Sequence, residues 1–469
     1  MKNNFMGFSN RKNSTLSWIL FLMALICFGT IQPSDVFAQL ADSTRQLVVE
    51  KIEIVGNSKT RPEVIYRYLT LRPGKVINPA LVAADQRRLL RTNFFKEVDF
   101  YTRPGSSKGK LILVIEVRER RWPYFQFEGG HSDLSSWYFV PASLRFDNFF
   151  GRGYLMGLRW YLGDRISKLS LGFHSCSLFD NRIFLDVELF GGNLDFVHFI
   201  NSDPGNVRLG FNRSNQQVAF GGLKLKTGAN LGLFKYVNFG FRSENFDPDD
   251  FIKITENDSS TTILPAAIQG DILKTKISAF SIILNADKRD NPIYPMKGFW
   301  GALSLELAHD AFGSERNFPK ITLDSRFYKK VLQRQVLAFH LKAGYTKSGA
   351  PFYERFYLGG ANSVRGYPDR RLTPVGWGTK MILTNSEYRF PISTKNFPNH
   401  KVSGVIFFDA GGVWLPGEEP KFEDLFAAVG FGFRVRLPVL GITRFDFAFP
   451  LKKVDNSDFQ FHISLGHTF

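Results

Sequence analysis

A chain of 469 residues with 49 Phe and 41 Gly, but only 2 Cys and 6 Met, is long enough for two or three domains and has the make-up of β architecture with tight turns. Its formal charge of +17 calls for an anionic partner or a charge-lined interior. The chain opens with an export signal, which excludes nucleic acid as that partner and leaves lipid headgroups or a positively charged interior.

In residues 1–38, Lys2, Arg11 and Lys12 precede an apolar run from Trp18 to Phe28, and Val36-Phe37-Ala38 supplies a small-residue cleavage site before Gln39. The run is too short to span a bilayer comfortably, and no later stretch of about 18 or more apolar residues follows it. Cys27 is preceded by Ile26, where a lipoprotein signal carries a small residue, so no lipidation is expected. Loss of the leader would leave Cys176 without an intramolecular disulfide partner. Residues 39–45 read as a short linker.

Residues 46–120 read as a small α+β domain. The alternation of Leu47 to Val55 predicts a strand ended by the turn Gly56-Asn57. A helix follows Thr60, with Pro62 in its first turn and Val64, Ile65, Tyr68 and Leu69 on one face; a second is predicted from about Pro79 to Arg91. Two strands, Lys96 to Arg103 and Lys110 to Glu119, complete a β-α-α-β-β order. With Ile54-Val55-Gly56-Asn57, Asn93-Phe94-Phe95-Lys96-Glu97-Val98 and Ile115-Glu116-Val117, this order resembles a polypeptide-transport-associated (POTRA) domain. The resemblance implies that a strand edge and its neighbouring helix accept extended client segments by β-augmentation.

Residues 121–469 hold segments of dyad alternation separated by turn residues, the pattern of a transmembrane antiparallel β-barrel. Phe459, Phe461, Ile463, Leu465 and Phe469 fall on one face of the last segment, with Gln460, His462, Ser464 and Thr468 on the other. Val429, Phe431 and Phe433 against Gly430, Gly432 and Arg434, and Leu185, Val187 and Leu189 against Asp186 and Glu188, show the same division. Connections at Leu332-Gln333 and Leu440-Gly441 are minimal, whereas Asn193 to Ser214, Glu244 to Gly270 and Lys347 to Thr379 read as long loops. Short turns at one rim and long loops at the other match the periplasmic and extracellular sides. The segments number 16, an even count that returns both ends to the periplasmic rim, and a barrel of this size needs something in its lumen.

The candidate plug is the inward-folded loop 347–378, in the stretch from Phe356 to Tyr367. An arginine such as Arg365 is costly in a narrow lumen without an acidic partner, and Glu387 and Asp409 lie on the next two strands. Asp409 shares strand parity with Phe407 and Gly411 and opposes Ile406, Phe408 and Ala410, so it points inward. Without that context Arg365 is an exposed loop arginine and the two acids are ordinary lumen residues.

Gly360-Ala361-Asn362-Ser363-Val364-Arg365-Gly366-Tyr367 looks like the hallmark inward loop of the outer-membrane assembly factor and surface-antigen superfamily, which includes two-partner secretion transporters. Asp287 to Asn291 with Pro295 and Gly298, Ser386-Glu387-Tyr388, and Phe407 to Gly411 resemble further motifs of that family in order. The resemblance implies a lumen lock of Arg365, Glu387, Asp409 and Phe407, built on Gly360, Val364, Gly366 and Tyr367. It further implies that the C-terminal strand ending at Phe469 is a barrel-assembly signal, and that the first and last strands form a weak seam, here with Gly129 and Gly130.

No nucleophile-elbow, zinc-protease or phosphate-loop motif is present, so neither catalysis, a metal nor a cofactor is expected. The expected role is assembly or translocation of unfolded outer-membrane or secreted proteins in the outer membrane, with the leading domain in the periplasm. Periplasmic chaperones, accessory lipoproteins and outer-membrane lipid are the expected partners. A dedicated secretion transporter and a passive outer-membrane pore are the alternatives.

Overall fold

The computed structural model describes residues 47–178, 183–200, 212–231, 234–249, 252–256, 259–263, 266–292, 294–392, 402–437, 441–454, 458–466 and 469. The expected leader, its cleavage site, Cys27, the linker and the side chain of Cys176 lie outside the described residues.

The leading segment forms β1 (Val48–Val55), α1 (Pro62–Arg67), α2 (Pro79–Arg91), β2 (Phe95–Pro104) and β3 (Lys110–Glu119). The sheet runs β1-β3-β2, with β1 parallel and β2 antiparallel to β3. A register shift between Val49 and Lys51 lets both Val49 and Ile52 enter the core despite their odd spacing. Asn78 caps α2 by accepting the Ala80 N–H at 2.8 Å. From the same helix, buried Asp85 accepts the N–H groups of Thr70 (2.8 Å) and Leu71 (3.0 Å), fixing the connection between the helices. Both helices cover one sheet face through Ile65 and Leu89, with Leu71 of their connection, packed with Phe94, Phe95 and Ile115.

Among the described residues eighteen strands follow in one antiparallel sheet that closes with the last strand beside the first. They are β4 (Tyr124–Ser132), β5 (Ser136–Phe149), β6 (Tyr154–Gly163), β7 (Ile166–Leu178), β8 (Ile183–Ile200), β9 (Asn212–Leu231), β10 (Phe234–Pro248), β11 (Ile252–Glu256) and β12 (Ser259–Ile263). The ring continues with β13 (Thr275–Asp287), β14 (Gly298–Ala308), β15 (Phe318–Leu332), β16 (Gln335–Thr346), β17 (Lys380–Pro391), β18 (Val402–Trp414), β19 (Phe426–Leu437), β20 (Gly441–Pro450) and β21 (Gln460–Leu465). β10 pairs directly with β13, so β11 and β12 form a side hairpin and sixteen strands build the wall. The hairpin lies within the stretch expected as the loop Glu244 to Gly270.

The outer face carries a band of exposed apolar side chains, including Phe139, Trp160, Leu171, Leu189, Phe239, Ile282, Leu305, Ile406, Phe431 and Phe461. Such a band on a soluble sheet would be an aggregation surface; around a closed sheet it faces lipid. Ala410, expected on that face, is small and lies buried between Thr384 and Ala427 of the flanking strands.

The stretch Asn193 to Ser214 departs from its reading as a loop. β8 and β9 remain paired up to Ile200 opposite Asn212. The apolar phase inverts at Gly191-Gly192: Leu185 and Leu189 belong to the lipid-facing parity, whereas Leu194, Phe196 and His198 are buried on the opposite parity. Beyond the lipid band the outer face no longer needs apolar residues, and the inner face packs on the plug instead.

The leading domain is seated on the start of β4 and the β5–β6 turn. Arg61 donates its N–H to the Gly151 carbonyl (3.0 Å), and Asn148 donates Nδ2 to Thr60 Oγ1 (2.7 Å). Asn93 Nδ2 donates to the Tyr124 hydroxyl, which donates to Asp147, both at 2.6 Å. Leu155 and Trp122 pack onto the domain's core.

Candidate functional site

The 32-residue interval between Thr346 and Thr379 enters the ring between β16 and β17 and is anchored at two levels. Near its ends, Phe352 and Trp377 pack against Phe196 and His198 of β8, with ring centroids 5.2–6.4 Å apart. Deeper in, Val364, Arg365 and Tyr367 are buried against the wall formed by β17 to β20. Gly366 makes the approach possible, since a Cβ there would lie 2.5 Å from Ala428 Cβ.

Arg365 is 0% exposed. Its Nε and Nη2 donate to the two oxygens of Asp409 at 2.7 and 2.8 Å, Nη1 donates to Glu387 at 2.7 Å, and its backbone N–H donates to Asp409 at 3.1 Å. The guanidinium carbon stacks 3.5 Å from the Phe407 ring centroid. The structure therefore brings Arg365, Glu387, Asp409 and Phe407 to one point, with Gly360, Val364, Gly366 and Tyr367 along the loop that carries them.

The cluster is larger than the sequence reading anticipated. Arg389 Nε donates to Glu387 (2.7 Å), Arg434 Nη1 donates to Asp446 (2.6 Å), and Asn385 Nδ2 bridges Asp409 (2.8 Å) and the Ser363 carbonyl (2.7 Å). Period-two parity is the signal that reveals them: Asn385, Glu387 and Arg389 share one face of β17, as Arg444 and Asp446 share one face of β20. Four guanidinium groups, counting Arg444, thus meet three carboxylates in a low-dielectric site, where pairing geometry decides whether burial is tolerated.

The same loop spans the ring closure. Asn362 accepts from Arg444 Nη2 (2.6 Å), while its backbone N–H donates to Asp133, in the β4–β5 turn, at 3.1 Å. Arg444 Nε donates to Ser464 of β21 (2.7 Å), and His462 of β21 lies 2.7 Å from the Arg365 carbonyl through Nε2. Arg370 donates to the Asp133 carbonyl at 3.2 Å and to that of Leu134. Burial, reinforced by the neighbouring Asp369 carboxylate, pushes the Asp133 carboxyl up to about 7.

β4 has nine residues and β21 six, while every other wall strand has ten or more, so the closure joins the two shortest ladders. Gly129 and Gly130 pair with Phe139 and Tyr138 of β5 on the inner side of that closure. Phe459, Phe461 and Ile463 face outward and are 41–43% exposed, and Leu465 ends the strand. Phe469 does not continue their face. Gly466, at φ +85°, breaks the dyad period, and Phe469 is buried in the lumen, stacked on His340 at 5.1 Å and Tyr328 at 6.4 Å.

Comparison with known proteins supplies a family for this arrangement. The Omp85 superfamily domain matches residues 148–469, and the surface antigen variable number repeat, or POTRA, matches residues 47–120. The outer membrane protein assembly factor BamA of Nitratidesulfovibrio vulgaris is 22% identical over 445 residues, covering 91% of this chain and 52% of that protein. BamA of Neisseria meningitidis serogroup B is 23% identical, covering 91% of this chain and 57% of that protein. The chain spans about half the length of the curated relatives it matches. Among solved structures, BamA from Haemophilus ducreyi lacking POTRA domains 1-3 superimposes with a TM-score of 0.65 at 19% identity, covering 91% of this chain and 85% of that one. CdiB from Escherichia coli gives 0.55 at 14% identity, covering 90% and 77%.

Proposed function

The chain belongs to the Omp85 superfamily, and from that premise we propose that it assembles other proteins into the outer membrane without enzymatic chemistry. Its relatives include proteins named outer membrane protein assembly factors. The observation that carries the reading is the loop tip at Arg365, which is tied at once to the adjoining wall of β17 and β18 and to both sides of the ring closure. Unfolded clients are received in the periplasm on the leading domain, where the outer edge of β2 offers backbone groups for strand addition. They are then handled at the β4–β21 closure, whose short ladders open at the lowest cost. Periplasmic chaperones and accessory lipoproteins are proposed as partners on the same grounds.

Depletion in the native host, followed by quantitative proteomics of outer-membrane and secreted fractions, tests the proposal. A fall in many barrel proteins is expected. Loss of one or two secreted proteins alone would replace it with dedicated secretion, and no change in either fraction would leave a passive pore.

A further inference from the structure

Among the described residues the plug touches β8 only beyond Gly192, through Phe352 and Trp377, and a cavity of about 580 Å³ lies against β5 to β9. Arg145, Arg159, Lys168, Lys224 and Lys226 line it, with His174, against the acids Asp186 and Glu188. Several of these cations are neutralised locally: Arg145 by Asp147 (2.6 Å), Lys168 by Glu188 (2.8 Å) and Lys224 by Glu244 (3.0 Å). Asp186, the cross-strand neighbour of Lys226, is hydrogen-bonded to His174. Arg159 faces Ser170, and neither Arg159 nor Lys226 has an ion-pair partner among the described residues.

The space itself is not demanded by packing. Gly157 and Gly172 line the cavity, and a Cβ on either would meet its nearest neighbour at 3.7 or 4.0 Å, ordinary contact distances. A wall built only to be filled would carry side chains here. The cavity also starts where the leading domain is seated: Leu155 lines the cavity and packs on that domain's core, and Asp147 joins Arg145 to the Tyr124–Asn93 contact. A chain segment leaving the domain therefore meets this cationic face before it meets the plug.

We propose that the β5–β9 face of the lumen is a binding track for an acidic, extended polypeptide segment, held by Arg159 and Lys226 and accommodated over Gly157 and Gly172. It deepens the client-handling reading and rests on it for the identity of the ligand as polypeptide. Partly exposed cations gathered on one wall attract carboxylates in a salt-dependent way. Lysine and arginine heads spread over several strands, from Arg159 of β6 to Lys226 of β9, suit a chain with repeated carboxylates better than a single small anion.

The test is fluorescence anisotropy of a labelled decaglutamate peptide on the full-length protein in lipid nanodiscs. Variants are Arg159→Gln with Lys226→Gln, and Gly172→Leu, which fills the cavity without changing charge; an unboiled-gel mobility shift checks that each barrel is folded. Salt-sensitive decaglutamate binding is expected, weakened at least tenfold by the double Gln variant and several-fold by Gly172→Leu, with no binding of decalysine. Equal binding by all three proteins, no binding to any, or displacement by inorganic phosphate at concentrations where chloride does not compete would overturn the assignment to polypeptide. Client assembly in proteoliposomes is read separately. Assembly without decaglutamate binding defeats only the track, whereas binding without assembly defeats only the assembly reading.

Discussion

Replacing Arg365 with Ala should release the loop tip, and the structure sets the scale. Three short charge-assisted hydrogen bonds disappear, two to Asp409 and one to Glu387. Glu387 keeps Arg389 and Arg434, but Asp409 has no other cationic partner among the described residues and is 0% exposed. It keeps only the Asn385 amide and a backbone N–H. Removing one member of a buried pair costs about 3–5 kcal/mol; water entering from the lumen favours the lower end. About 3 kcal/mol corresponds to roughly a hundredfold rise in the population of undocked loop. The reverse change, Asp409→Asn, leaves Arg365 with Glu387 at 2.7 Å and Asp446 at 3.7 Å and should cost less, about 1–2 kcal/mol. Val364, 0% exposed, is the reporter: maleimide labelling of Val364→Cys in a background lacking Cys176 follows the open fraction. A rise below threefold for Arg365→Ala, or a larger effect from Asp409→Asn, would refute the reasoning.

Three further outcomes follow from the same geometry. The docked pKa of Asp133, about 7, lies above the ordinary aspartate value of about 4, so its contribution to docking is full below pH ~4 and is lost as pH rises through 7. Labelling at Val364→Cys, corrected for thiolate reactivity, should therefore rise by about tenfold between pH ~6 and pH ~8, and Asp133→Asn should remove that rise. Gly366→Ala places a methyl 2.5 Å from Ala428 Cβ; the overpacking costs about 1–3 kcal/mol and should raise the same labelling rate five- to a hundredfold. Asn148→Ala removes both the Thr60 contact and the Gly153 N–H contact of 2.6 Å, and hydrogen exchange should quicken in the β5–β6 turn and around Thr60 while β17 to β20 stay protected.

Much of the fold was legible because a lipid-facing wall imposes one rule on every strand. Val429, Phe431 and Phe433, read as one face of a segment, lie on β19 with all three side chains exposed, since period-two alternation between lipid and lumen is strong there. The rule fails where the solvent changes. Above the lipid band β8 and β9 bury residues on the opposite parity, and Asn193 to Ser214 consequently read as loop. At the C-terminus Gly466 takes φ +85° and Phe469 lies inside against His340, and alternation carries no information past such a break.

The centre of the site was legible for a different reason: Arg365 needed acids, and Glu387 and Asp409 lay on adjacent strands with fixed parity. Asp446, Arg434 and Arg444 stayed out of the reading because parity shows only that they face the lumen, whereas which of them the loop tip meets depends on the assembled ring. Asp133 joined through the first hairpin for the same reason.

The most direct measurement of the central claim is reconstitution. Proteoliposomes holding the full-length protein are given a urea-unfolded barrel client, and the client's folded fraction is read by its unboiled-gel mobility over time. Folding faster than in empty liposomes, slowed by Arg365→Ala and partly restored when Arg365→Glu is combined with Asp409→Arg, is the predicted result. Client folding at the empty-liposome rate with every protein would contradict the account.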